Sequence, residues 1–155
     1  MEDIRFTTAT AADLPAVRAL LERCELPVDD LQAAHLEHFV VCRLGGSLAG
    51  SVGIEISGEI GLMRSLAVAP ELRGRRLGHD LWTHLRSEAS RRGVGRLYLL
   101  TTTAEKLFAR WGFQRVERDT VPEAIRGTAE FASLCPNTAT VMALDLPTVT
   151  SQRVV

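Results

Sequence analysis

The sequence predicts an α/β fold, with a mixed, mostly antiparallel central sheet flanked by helices. Three observations carry this reading. Between Phe39 and Val68 three apolar runs follow one another across glycine-containing turns, the pattern of an antiparallel meander. An amphipathic helical repeat follows Pro70. Beyond it, Arg96 to Thr101 is a nearly continuous apolar run, as in a central strand covered on both faces.

Taken in order, Ile4 to Thr7 alternates as a short strand, and Thr10 suits a helix N-cap with Asp13 in the first turn. Leu14, Val17, Leu21 and Cys24 recur at three- and four-residue steps, giving a helix from about Ala11 to Arg23. Leu26-Pro27-Val28-Asp29-Asp30 breaks it, and Asp29 or Asp30 caps a second, short helix to about Glu37. Phe39 to Arg43 is a strand, Leu44-Gly45-Gly46-Ser47 a hairpin signal, and Leu48 to Ile56 the returning strand. Gly50 and Gly53 within it point to a bulge or a close backbone approach. Ser57-Gly58-Glu59 turns into a third strand, Ile60 to Val68. The helix after Pro70 carries Leu77, Leu81, Leu85 and Ala89 on one face and stops at Gly93. A short helix from about Ala104 to Trp111 ends at Gly112. Phe113 to Arg118 and Thr140 to Leu146 are the last strands, with a helical stretch near Glu123 to Phe131 between them. Residues 1–147 read as a single domain and 148–155 as a flexible tail.

The composition excludes several functions. The 155 residues are 46% apolar and 24% charged, enough to bury a core. Eighteen basic against 19 acidic residues leave a net charge of −1, without the basic excess of a phosphate-reading nucleic-acid binder. No run approaches the roughly 18 to 20 apolar residues of a membrane span, and Met1-Glu2-Asp3-Ile4-Arg5 does not read as a signal peptide. The three cysteines, Cys24, Cys42 and Cys135, form no CxxC pair. That favours a reduced cytoplasm over a disulfide framework, and no metal site is expected.

Chemistry concentrates in Ser65 to Gly78, where a strand ends, a basic turn with Gly74 follows, and a helix opens near Leu77 and Gly78. The first N–H groups of such a helix lack intrahelical partners and sit at the positive end of its dipole, which makes an anion site. Arg73, Arg75 and Arg76 add charge-assisted donors. The plainer alternative is a solvated basic turn. A Walker A loop is excluded because no GK[ST] follows, and the preceding meander disfavours a dinucleotide fold.

Arg73 to Gly78 resembles the Q/R-x-x-G-x-G/A pyrophosphate loop of the Gcn5-related N-acetyltransferases (GNAT), and the element order from Ile4 to Leu146 fits that fold. The resemblance implies acetyl-CoA as co-substrate. The amides of Arg73 to Gly78 would hold its pyrophosphate, and the backbone of Leu66, Ala67 and Val68 would pair with the pantetheine arm. Arg76 stands where the motif has its middle glycine. A backbone amide survives that change, and phosphate binding with it, provided the turn does not need φ > 0 there. Five segments together resemble the subfamily often encoded in arsenic-resistance operons: Leu26 to Leu31, Gly53-Ile54-Glu55, Leu62 to Val68, Leu99 to Glu105, and Phe131 to Pro136. Val121-Pro122-Glu123 and Leu134-Cys135-Pro136 are similar to amino-acid acetyltransferases of the acetylglutamate-synthase type.

An acetyl transfer to nitrogen needs a neutral amine. An amine of pKa about 9 is roughly 1% neutral at pH 7, a penalty of about 2.7 kcal/mol, so a base is wanted. Glu55 and Glu59 are the candidates, with His38 behind them; each alternatively is a strand-end charge or an ordinary histidine. Relatives place an acidic Tyr where this chain has Phe108, which instead would pack against the pantetheine arm. Tyr98, the one tyrosine, reads as core or as a replacement acid. Arg64, in an apolar strand, holds an acceptor carboxylate or arsonate, or else an internal salt bridge with Glu55 or Glu59. Thr101, Thr102 and Thr103 line the acceptor cleft or are β-formers with one cap. Lys106 reaches a CoA phosphate or is solvated. Cys135 is a candidate cleft residue, and a three-cysteine arsenic site is the weaker option.

The resemblance therefore implies an N-acetyltransferase with a small-molecule amine acceptor that is amino-acid-like, an arsenical among the options. No nucleic-acid or membrane partner is expected, and a homodimer is common among relatives. The alternatives are a glutamate-type amino-acid acetyltransferase, transfer to protein lysines, and a non-catalytic acyl-CoA-binding or arsenic-sensing module.

Overall fold

The computed structural model describes residues 4–134 and 138–147, so Cys135 and the expected tail over 148–155 lie outside the described residues. The strands are β1 (Ile4–Thr8), β2 (Phe39–Leu44), β3 (Ser47–Ser57), β4 (Ile60–Val68), β5 (Arg96–Thr101), β6 (Gln114–Arg115) and β7 (Thr140–Asp145). The helices are α1 (Leu14–Arg23), α2 (Leu77–Arg91), α3 (Glu105–Arg110) and α4 (Glu123–Arg126). The strand order is β1-β2-β3-β4-β5-β7-β6. β4 and β5 run parallel, with Ile60 opposite Arg96 and Leu62 opposite Tyr98; β1–β2, β2–β3, β5–β7 and β6–β7 are antiparallel. This is the mixed, mostly antiparallel sheet with flanking helices that the sequence predicts.

The chain divides into two compact units, Met1–Glu55 with Arg64–Glu88, and Ile56–Met63 with Ala89–Val155. In the first unit, Val17, Leu20 and Leu21 of α1 pack with Leu31, Leu36, Phe39, Val41 and Ala67. The apolar stripe of α1 thus covers β2 and β4, as its spacing requires. The Thr10 amide donates to Asp13 Oδ2 at 2.8 Å, so the expected start is present, although Ala11–Asp13 is a 3₁₀ turn and the α-helix begins at Leu14. The glycines of β3 allow close approach. A Cβ at Gly53 would lie 2.2 Å from Phe39 Cε1, and one at Gly50 would lie 2.8 Å from Leu81 Cδ1. α2 and the Phe39 ring can sit where they do because these two positions have no side chain.

In the second unit, β5 pairs with β7 from Arg96 opposite Asp145 to Thr101 opposite Thr140. Val121 and Ile125 pack over Leu62, Tyr98, Val141 and Ala143.

The helix after Pro70 starts at Leu77, where the sequence has it open, because Gly74 and Arg76 both hold left-handed φ, which helical backbone does not permit. Three boundaries differ from the sequence reading. Neither Asp29 nor Asp30 caps a helix: the segment Ala33–His38 is a 3₁₀ turn that starts after Gln32, and Asp30 is engaged elsewhere. β6 keeps two residues of the expected Phe113–Arg118 strand; both are exposed, and pairing ends one bond later at Val116 N–H to Val141 O. The helical stretch stops at Arg126 before Gly127 and resumes as a π-helical turn at Glu130–Leu134. Among the described residues no helix is long and apolar enough to cross a membrane.

Candidate active site

β4 delivers the chain to the basic loop. Ser65 takes φ +60 in mid-strand, which interrupts the regular alternation there, and its carbonyl accepts the Ser51 hydroxyl at 2.9 Å. Past it, Ala67 is buried while Leu66 and Val68 are half-buried. The Ala69 amide donates to Ala49 O at 2.8 Å, which fixes where the strand leaves the sheet. Pro70–Leu72 then forms a 3₁₀ turn, and Arg73, Gly74, Arg75 and Arg76 run exposed to the start of α2.

Two left-handed residues shape this loop, Gly74 at φ +87 and Arg76 at φ +63. The condition attached to Arg76 is therefore not met: the turn does need φ > 0 there, and an arginine adopts it at a cost of roughly 1 kcal/mol or more. The geometry survives the substitution. Arg76 O accepts the Asp80 amide at 3.0 Å, closing the first turn of α2. Leu77 is 3% exposed and anchors the helix. The amides of Leu77 and Gly78 precede the Asp80 donor, at the positive end of the helix dipole. A Cβ at Gly78 would find its nearest atom, Val68 Cγ2, 3.9 Å away. Packing does not demand a glycine here; the open space in front of the helix start fits an approaching diphosphate.

The end of α1 holds this loop in place. Arg23 pairs with Glu71 at 2.5 Å, Cys24 Sγ donates to Val68 O at 3.6 Å, and Arg73 Nη2 donates to Cys24 Sγ at 3.5 Å.

Arg64 carries the second feature. Its side chain is fully buried and lies between two carboxylates. Nη1 donates to Asp30 Oδ2 at 2.5 Å and to Glu55 Oε2 at 2.7 Å, Nη2 to Asp30 Oδ1 at 2.9 Å, and Nε to Ser65 Oγ at 3.1 Å. The salt-bridge reading of Arg64 therefore describes this structure, with Asp30 as an additional partner. The acceptor-anchor reading does not, because the guanidinium is already committed. Burial acts to raise the Asp30 carboxyl, but the Arg64 guanidinium outweighs it and holds Asp30 below its usual value. His35 lies beside the pair, and single ligand atoms of Asp30, His35 and Glu55 fall within 4.8 Å of one another. The cation that these carboxylates hold is Arg64.

Glu59, Tyr98, Thr101 to Thr103, Lys106 and Phe108 belong to the second unit, and Cys42 to the first. Glu59 is in the exposed β3–β4 turn, and its main-chain oxygen, rather than its carboxylate, is used, accepting Gly95 N–H at 2.7 Å. Phe108 is 7% exposed and packs edge-on against Trp111 and Phe113, with ring centroids 5.4 and 5.9 Å away. The Thr101 hydroxyl accepts Ala104 N–H at 2.9 Å, which is the capping alternative, while Thr102, Thr103 and Lys106 are exposed. Tyr98 is buried, and its hydroxyl accepts from Arg96 Nε at 2.9 Å. Burial, reinforced by Asp80, pushes the Cys42 thiol up to about 11, so it rests as the thiol at neutral pH. Sequence reasoning missed the roles of Asp30 and His35. The available signal was the arginine in an apolar strand, which had to find carboxylates within reach.

Several solved structures share this architecture. N-acetylglutamate synthase from Neisseria gonorrhoeae, complexed with coenzyme A and N-acetyl-glutamate, is 25% identical with a TM-score of 0.81; the match covers 94% of this chain and 35% of that one. The chain thus spans about a third of that synthase. Rv2747 from Mycobacterium tuberculosis, in complex with CoA, is 23% identical over 92% of this chain and 99% of its own, with a TM-score of 0.78. The ribosomal-protein-S18-alanine N-acetyltransferase from Escherichia coli is 18% identical over 99% of both chains, with a TM-score of 0.70. The last two show a common fold. The sequence model of the acetyltransferase (GNAT) family matches residues 7–113, a span that includes Glu55, Arg64 and the whole basic loop, and the chain belongs to that family.

Proposed function

We propose that the chain is an acetyl-CoA-dependent N-acetyltransferase acting on the primary amine of a small, amino-acid-like acceptor. The loop is the observation that carries it: two left-handed residues and three exposed arginines lead into the amides of Leu77 and Gly78 at the start of α2, with open space at Gly78. In this reading those amides, with Arg73, Arg75 and Arg76, hold the diphosphate, and the backbone of Leu66 to Val68 aligns the pantetheine arm.

Glu55 is the base. The acceptor's ammonium gives it one proton; the neutral nitrogen then bonds to the thioester carbon and the carbon–sulfur bond breaks. The nitrogen's second proton leaves with the sulfur as free thiol. A thiol of pKa about 8.5 is a fair leaving group near neutrality, so Phe108 in place of a tyrosine does not block the reaction. An amino-acid acceptor is supported by the gonococcal synthase, solved with N-acetyl-glutamate. An arsenical acceptor is supported by the five-segment resemblance.

The test incubates the protein with acetyl-CoA and a panel of free amino acids, amino-phosphonates and amino-arsenicals, following free thiol and acceptor mass. An acetylated amino acid or amino-arsenical establishes the activity and chooses between the two acceptors. Saturable acetyl-CoA binding with no thiol release from any acceptor favours the non-catalytic binding module instead. No binding overturns the assignment of the loop.

A further inference from the structure

A fully buried guanidinium that touches two carboxylates on different chain segments is more than a charge pair. Asp30 comes from the segment after α1, Glu55 from β3 and Arg64 from β4. Asp30 takes both terminal nitrogens, through Oδ1 and Oδ2, whereas Glu55 is held through Oε2 alone. Among the described residues Glu55 Oε1 accepts no hydrogen bond, and the Glu55 side chain remains 23% exposed. The segment that carries Asp30 is fixed from its other side as well, because Arg18 Nη2 donates to Leu31 O.

We propose that Asp30 and Arg64 are a positioning pair for Glu55, holding its carboxylate by one oxygen and leaving the other to receive the acceptor's proton. This rests on Glu55 being the base of the acetyl transfer. The geometry explains why a pair is needed. Asp30 takes the guanidinium's fork through Nη1 and Nη2, so that Glu55 is held on Nη1 by Oε2 alone. The distances place Asp30 from the loop, His35 from the 3₁₀ turn and Arg64 from β4 at Glu55 as charged or titratable neighbours. His35 Nδ1 is occupied by the Gln32 amide at 3.0 Å.

The experiment titrates the Glu55 carboxyl by NMR in the full chain with CoA bound, using glutamate labelled with carbon-13 at the side-chain carboxyl. Its resonance is assigned by its absence from Glu55→Gln. Asp30→Asn removes the competing anion and should lower the midpoint by about one pH unit, whereas Arg64→Gln removes the cation and should raise it by about as much. Charge alone gives shifts of opposite sign, so the positioning role is read in turnover as well. Asp30→Asn should lower kcat on the panel acceptor with the KM for acetyl-CoA unchanged, a split that a merely structural role would not give. An unchanged midpoint in Asp30→Asn, or shifts of one sign in both variants, overturns the proposal. If Arg64→Gln does not fold, Asp30→Asn decides alone. Turnover of Glu55→Gln, measured on the acceptor from the panel, separates the two ideas: full activity sinks Glu55 as base, whatever the titration shows.

Discussion

The two compact units handle left-handed backbone differently. In the second unit every described residue with positive φ is a glycine: Gly58, Gly93 and Gly112. The first unit has glycines of this kind too, but it also places Glu25 at φ +59, Ser65 at +60 and Arg76 at +63. Glu25 directly follows the α1 end that ties down the loop, Ser65 accepts from Arg64, and Arg76 is in the loop itself. Each non-glycine residue in this region costs roughly 1 kcal/mol or more. The second unit turns its chain without that cost. Strain gathers where the candidate site is, and the ordinary corners of the fold are relaxed.

The comparison can be broken most directly at Gly78. Gly78→Asp places a negative side chain where the diphosphate would lie. About 4 kcal/mol of repulsion at 4 Å and an effective dielectric near 20 should abolish CoA binding by calorimetry while the variant stays folded; unchanged affinity removes the loop from the site. Next come matched substitutions at left-handed positions. Gly112→Ala in the second unit meets both φ +104 and Leu144 Cδ1 at 3.3 Å, and should lower stability in urea by about 1–3 kcal/mol with CoA affinity unaltered. Arg76→Val, which forces a β-branched residue into φ +63, should lower stability by about 1–2 kcal/mol and weaken CoA binding as well. Equal effects on affinity at the two sites would mean that the strain is unconnected with binding.

A smaller effect is expected from acid. Asp30 has a folded pKa below its unfolded value of about 3.8, so its contribution is present above that pH and is lost as the pH falls below it through the folded pKa. Asp30→Asn should therefore flatten the loss of stability below about pH 4, and an unchanged acid limb would refute the pairing. The least effect belongs to Phe108→Tyr. A hydroxyl added to a ring packed by Trp111 and Phe113 should cost about 1 kcal/mol and leave turnover intact. A collapse of turnover in a folded variant would show that the apolar contact matters to catalysis.

Much of the fold was legible because its signals are local and periodic. The α1 stripe, the Gly45-Gly46 hairpin, the extent of β4 and the apolar run of β5 each follow from spacing alone. The strand-to-helix junction was legible because β4 ends and α2 begins on either side of a short basic turn with a glycine. What escaped depends on distant partners. Asp30 reads as a helix cap until Arg64, 34 positions away, is found beneath it. Glu55 and Glu59 are equivalent by composition, and only the register of β3 puts one on Arg64 and the other in an exposed turn. Nor could the left-handed φ of Arg76 be read from an arginine, since side-chain identity argues against that conformation.

The α1-to-loop tether also makes the protein its own reporter. Cys24 is half-buried and sits between Arg73 and Val68, whereas Cys42 is buried with its thiol held in the protonated form. With Cys135 replaced by serine, a thiol-reactive dye at neutral pH would therefore mark one position, at the threshold of the basic loop. Ligand arrival could then be followed as a change in fluorescence, with no acceptor and no turnover required.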